Sequence, residues 1–183
     1  MPTPSSMLPL GTFAPDFNLP DTVSGRNLDL AQVRGTQATV VMFICNHCPY
    51  VKHVQSEMVR LAGDYQPRGV GFAAISSNDV TRYPEDGPAQ MAELAHQLGY
   101  PFAYLYDESQ DVARAYSAAC TPDFYVFDEE LRCVYRGRLD DSTPGNGKPL
   151  SGADLRAALD GVLGKRVISG DQFPSYGCSI KFR

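Results

Sequence analysis

The chain has 183 residues, 43% hydrophobic and 20% charged, with a net charge of −5. This composition fits a globular domain with one sizeable core and excludes the concentrated basic footprint that nucleic-acid binding needs. No stretch approaches the ~18 uninterrupted apolar residues of a membrane-spanning helix, and the first residues lack the basic and apolar regions of a secretory signal, so the default expectation is a cytoplasmic location.

In chain order, residues 1–13 read as a loose N-terminal arm. The Pro- and Gly-punctuated stretch Ala14 to Gly35 reads as short strands or a hairpin turning near Ser24-Gly25. Ala38 to Cys45 is a continuous apolar, β-branched run, the pattern of a central strand covered on both faces. A helix follows almost at once, because Val51, Val54, Met58, Leu61 and Tyr65 recur at steps of three and four. Pro49 fixes its first turn, and Asn46 stands where an N-cap is expected.

Gly69 to Ser77 reads as the next buried strand, Asn78 to Pro88 as a polar loop, Ala89 to Leu98 as a helix and Phe102 to Tyr106 as a strand. Asp107 and Gln110 match a capping box opening a helix through Tyr116. Phe124 to Phe127 and Leu131 to Leu139 predict an antiparallel hairpin, followed by a turn-rich loop, Ser142 to Leu150. Ser151 and Asp154 predict the cap of a last helix carrying Leu155, Leu159, Val162 and Leu163 on one face, and residues 166–183 read as an aperiodic tail. The expected architecture is one α/β domain over 1–183, a central mixed sheet with helices on both faces.

The chemistry concentrates at Cys45 and Cys48, in the run C-N-H-C. Two thiols with two residues between them at a helix start can pass between dithiol and disulfide with little backbone movement. The unpaired N–H groups and partial positive charge of the helix end favour thiolate. The expectation is that Cys45, the more exposed, attacks a substrate disulfide and that Cys48 resolves the mixed disulfide. His47, between them, is expected to lower the Cys45 pKa as an imidazolium; otherwise it is a solvent-facing histidine without effect. A structural zinc needs four ligands, and with no second C-x-x-C or H-x-x-x-H the expectation is no metal and no other bound cofactor. Cys120 and Cys133 read as small buried hydrophobes. The short basic clusters Arg136/Arg138 and Lys165/Arg166 read as solvated faces.

The strand V-V-M-F-I followed by C-N-H-C-P-Y-V resembles the thioredoxin superfamily, in particular its peroxiredoxin-like (AhpC/TSA, redoxin-type) branch that keeps a C-x-x-C. The opening A-P-D-F-N-L-P, the run C-T-P-D-F-Y-V-F-D and the stretches Y-P-E-D, Y-L-Y-D-E-S-Q, R-G-R-L-D-D and G-C-S-I-K are similar to the same branch. The resemblance implies a thioredoxin-like fold with an N-terminal β extension and a C-terminal tail. It also implies a cis-proline at Pro122, facing the C-x-x-C, with the Thr121 backbone free to pair with an extended substrate peptide.

Departures from the pattern bear on activity. The threonine that peroxiredoxins carry three residues before their reactive cysteine is Met42 here, and Thr121-Pro122 stands where they hold peroxide with an arginine. The tryptophan that precedes the first cysteine of thioredoxins is Ile44, and no acid lies between Ala38 and Ile44, so the proton acceptor is unassigned. Glu57 on the following helix is a candidate, and a solvated helix-face glutamate is the favoured reading of it.

The function expected from these readings is thiol–disulfide exchange on protein disulfides, or with an electron-donor dithiol protein. Alternatives are a thiol peroxidase and a redox-sensing module without turnover. The loop Asn78 to Pro88, with Asp79 and Arg138, reads as a partner surface or a plain surface loop. Cys178, beyond the last helix, is the candidate third redox thiol, with Gly177 beside it allowing close backbone approach. Its alternatives are part of a hydrophobic plug anchored by Ile180 and Phe182, or a free exposed thiol.

Overall fold

The computed structural model describes residues 1–183. Strand β1 (Thr3–Pro4) precedes a hairpin of β2 (Asn18–Pro20) and β3 (Asn27–Asp29), a helical turn α1 (Leu30–Val33), and β4 (Ala38–Phe43). Helix α2 (Pro49–Tyr65), β5 (Val70–Ser76), α3 (Pro88–Leu98), β6 (Ala103–Tyr106) and α4 (Asp111–Ala115) follow. The chain closes with β7 (Cys120–Thr121), β8 (Asp123–Phe127), β9 (Cys133–Gly137), α5 (Ala153–Leu163) and β10 (Tyr176–Ser179).

The main sheet has the order β6-β5-β4-β8-β9, with β4, β5 and β6 parallel and β8 and β9 antiparallel additions. Every residue of β4 is buried, as its unbroken apolar run requires. Alternate side chains feed two cores. Ala38, Val40 and Met42 pack beneath α2, α3 and α5, whereas Val41 and Phe43 pack with α4, Leu8, Phe17 and Ile180. Helices thus cover both faces, and the fold is a thioredoxin fold.

Both termini depart from the sequence reading. The N-terminal arm is not loose: β1 pairs antiparallel with β10, and Ser5 and Leu8 are buried. The tail is a strand, held between β1 on one side and β7 on the other. Its pairing is supplied by partners far away in sequence, so it needs no apolar period of its own.

Three caps also differ. Cys48, not Asn46, is the N-cap of α2, and the Asn46 side chain instead donates to the Glu85 carbonyl and accepts from the Tyr104 hydroxyl. Asp107 accepts from the Val112 and Ala113 amides, while Gln110 spends its side-chain amide on Ser77 and Lys181 carbonyls, so no capping box closes on α4. At α5 the buried Asp140 accepts from the Ser151 and Gly152 amides, and Asp154 pairs with Arg138 instead.

Candidate active site

The β4 strand delivers the chain to a turn at Cys45–Cys48, and Pro49 starts α2 directly after it. Pro49 has no N–H to lose at this first helical position, so the proline sets the second cysteine at the helix mouth. Both thiols are buried: Cys45 is 1% exposed and Cys48 0%. The expectation of an exposed Cys45 therefore does not hold in this state.

The surroundings of the two sulfurs differ. Cys45 Sγ lies 3.5 Å from Thr121 Oγ1 and 3.9 Å from His47 Nδ1. Cys48 Sγ lies 2.8 Å from Cys178 Sγ and 3.3 Å from the Thr121 carbonyl oxygen. The Cys48 thiol is the donor in both contacts. The Cys45 neighbour is the largest influence holding the Cys48 pKa below its ordinary value, with burial opposing it.

Cys45 moves the other way. Donation to Cys48, burial and the nearby Asp86 charge all hold its proton on, and Thr121 only partly offsets them. The neighbouring Cys48, burial and Asp86 thus act on Cys45 in the direction opposite to the lowered pKa expected of it.

His47 Nδ1 lies between Cys45 Sγ and Asp86, and closer to the carboxylate. Its Nδ1 is 2.5 Å from Asp86 Oδ2, and its ring stacks on Tyr83 with centroids 5.1 Å apart and planes within 10°. Asp86 is the acid that sequence reasoning missed. It is fully buried and accepts from the Asn46 and His47 amides through Oδ1, and from His47 and Asn78 side chains through Oδ2. The carboxylate therefore fixes the C-N-H-C turn from a distant loop. The only sequence signal was its place in Y-P-E-D, a stretch to which no role attached.

Glu57 is not the solvated helix-face glutamate favoured from sequence: it is buried, and it is committed to Arg60 and Arg156 on the α2–α5 side. Asp79 and Arg138 do not converge on a partner surface. Asp79 binds Arg82 and Arg183, and Arg138 binds Asp154 under the Phe173 ring.

One group of metal-ligating atoms is present: Cys45, His47 and Asp86 donor atoms lie within 4.8 Å of one another. Both Asp86 oxygens are already used by four hydrogen bonds, so an ion would have to break the contacts that hold the turn.

The Thr121–Pro122 bond is cis, as the resemblance implied. The neighbouring strand edge is not free for a peptide, however. β10 runs antiparallel along β7, with Cys178 opposite Thr121 and Ser179 opposite Cys120. Gly177 makes this possible, since a Cβ there would fall 1.8 Å from the Thr121 carbonyl oxygen. The tail is clasped beyond the strand by Asn78, which accepts from the Lys181 amide, and by Gln110, which accepts from the Arg183 amide. Cys178 keeps partial exposure, and burial beside Cys48 pushes its pKa up to about 12. Cys120 and Cys133 are buried, with raised pKa values caused by that burial, as expected for inert core thiols.

Comparison with known proteins places these features in context. The AhpC/TSA family model matches residues 10–136. No curated protein sequence matches the chain. An uncharacterized conserved protein from Geobacillus kaustophilus is 58% identical, with a TM-score of 0.98, over 100% of this chain and 97% of its own. A hypothetical protein from Sinorhizobium meliloti 1021 is 46% identical, with a TM-score of 0.96, over 99% and 98%. A thiol:disulfide interchange protein of the thioredoxin family from Chlorobium tepidum TLS shares the fold at 18% identity, with a TM-score of 0.64, over 84% and 97%.

Proposed function

The chain belongs to the AhpC/TSA family, and from that premise we propose that it is a thiol–disulfide oxidoreductase acting on protein disulfides through Cys45 and Cys48. The observation that supports this reading most is the pair itself: two cysteines separated by two residues, the second of them the N-cap of α2.

In the proposed cycle the Cys45 thiolate attacks one sulfur of a substrate disulfide, and the other substrate sulfur leaves as thiolate. Cys48 then attacks Cys45 Sγ, the mixed disulfide breaks, and the second substrate thiol is released with a Cys45–Cys48 disulfide left behind. The stabilised Cys48 anion suits the second step. The first step requires the proton on Cys45 to pass to its hydrogen-bonded neighbour. It also requires the peptide to take the Thr121 edge from β10. Once β10 leaves, Cys48 loses the Cys178 neighbour that helps hold its pKa down, which shifts negative charge toward Cys45.

A thiol peroxidase on the same cysteine would hold peroxide with a cationic donor. The polar side-chain atoms that the structure pairs with Cys45 are Thr121 Oγ1 and His47 Nδ1, and no guanidinium is among them. The test is stopped-flow mixing of the reduced protein with a protein disulfide and, separately, with hydrogen peroxide. The proposal expects faster oxidation by the protein disulfide. Fast oxidation by peroxide alone would replace it with the peroxidase reading.

A further inference from the structure

The site contains three sulfurs rather than two, in the order Cys45, Cys48, Cys178, with Cys48 in the middle. Cys45 and Cys48 are buried, and Cys178 is the one with access to solvent. The Sγ atoms of Cys48 and Cys178 are 2.8 Å apart, and a disulfide requires ~2.05 Å, so bond formation asks for a movement of less than about 1 Å. The strand register that places Cys178 there is fixed by backbone pairing with Thr121 and by the clasp at Lys181 and Arg183.

We propose that Cys178 is the thiol through which the buried pair is recharged, carrying the disulfide from Cys45–Cys48 to a Cys48–Cys178 bond that an external dithiol can reach. The inference rests on the exchange activity proposed above and adds the route by which electrons enter.

The steps balance without any further oxidant. In the oxidised chain the Cys178 thiolate attacks Cys48 Sγ, the Cys45–Cys48 bond breaks, and Cys45 leaves with the electron pair and takes up a proton. The disulfide has moved, and the oxidation level is unchanged. A thiolate of an external dithiol then attacks Cys178 Sγ, and Cys48 leaves as thiolate. Cys48 leaves from the N-cap of α2, where the helix end favours negative charge, and a stabilised thiolate leaves faster. The second thiol of the dithiol attacks its own sulfur in the mixed disulfide and releases Cys178. Two electrons have passed from the dithiol to the chain, whose three cysteines are again thiols.

The tail plays the part of a substrate. It pairs with the edge where an extended peptide would lie and presents a cysteine to the pair. A closed tail is therefore the state that is recharged, and an open tail the state that meets substrate.

The test oxidises the full-length wild type, Cys45→Ser and Cys178→Ser proteins with glutathione disulfide, blocks free thiols in acid, and maps linked peptides after digestion without reductant. Wild type should yield both Cys45–Cys48 and Cys48–Cys178, and Cys45→Ser should yield Cys48–Cys178. A wild type with no Cys48–Cys178 linkage overturns the proposal, whether or not Cys45→Ser folds. Cys178→Ser reports on the underlying reading: if it forms no Cys45–Cys48 disulfide, the dithiol function fails independently of the tail. Reduction of the oxidised chains by dithiothreitol completes the test. Cys178→Ser should be reduced at least about tenfold more slowly than wild type, and equal rates would remove Cys178 from the recharging route.

Discussion

Cys178 stands directly opposite Thr121 in an antiparallel register, so the strand edge beside the cysteine pair is filled by the chain's own C-terminus. The approach depends on a single missing side chain. Gly177 has no Cβ, and one placed there would meet the Thr121 carbonyl at 1.8 Å.

Gly177→Ala should therefore unseat β10. Overpacking of this kind destabilises by about 1–3 kcal/mol, read as a lower midpoint in urea. Hydrogen exchange at the Cys178 to Ile180 amides should rise more than elsewhere, because these residues lose their partners on β7 and the segment before it. Unchanged exchange there would mean the tail is held by its distal clasp alone.

Asp86 holds the C-N-H-C turn and disfavours charge on Cys45. Asp86→Asn keeps an acceptor for the Asn46 and His47 amides but removes the negative charge. The Cys45 thiol should then titrate lower, with alkylation at neutral pH faster by about fivefold for ~1 kcal/mol of screened interaction. Mass-spectrometric rates of iodoacetamide labelling at Cys45 measure this. A slower Cys45 would show that Asp86 acts mainly through His47.

Glu57 is structural. Its buried carboxylate pairs with the exposed Arg60 and with Arg156, which also holds Asp64, so its removal strips charge pairing from the α2–α5 contact. Glu57→Ala should lower the unfolding midpoint while leaving the pH profile of disulfide exchange in place. A shifted profile would return Glu57 to the role of proton acceptor.

Asp123 is fully buried, and burial pushes its pKa up to about 7 from an ordinary 3.8. The folded chain thus holds this proton more tightly than the unfolded chain. The carboxyl is at its most favourable below about pH 4, and stability falls as pH rises from there to about 7, then levels off. The span corresponds to roughly 4 kcal/mol at 1.36 kcal/mol per unit. Asp123→Asn should remove that slope from urea unfolding measured between pH 4 and 8. Parallel wild-type and variant curves would contradict it.

Much of this was readable in the sequence. The β4 run, the α2 stripe and Pro49 gave strand, helix and the position of the cysteine pair, because each is a local pattern with a local cause. The β2–β3 and β8–β9 hairpins followed from turn residues for the same reason. The tail was not readable, since β10 owes its structure to Thr3, Thr121 and Asn78, none of them near it in the chain. Asp86 was hidden likewise, because a carboxylate in a polar loop carries no sign that the fold buries it 40 residues away from its amide partners. The caps failed where a distant acid, such as Asp140 at α5, served the amides better than the local serine. Gly177 and Cys178 carry a signal in the sequence, and the structure sets Gly177 against the Thr121 carbonyl and Cys178 against Cys48.

The central claim is that Cys45 attacks substrate and Cys48 resolves. The most direct measurement mixes reduced Cys48→Ser protein with a protein disulfide, quenches in acid, and identifies the chain cysteine bonded to the substrate. The account predicts a trapped mixed disulfide on Cys45, and its absence when Cys45 is also serine. A substrate linked to Cys178 alone, or no trapped species with the fold intact, would contradict it.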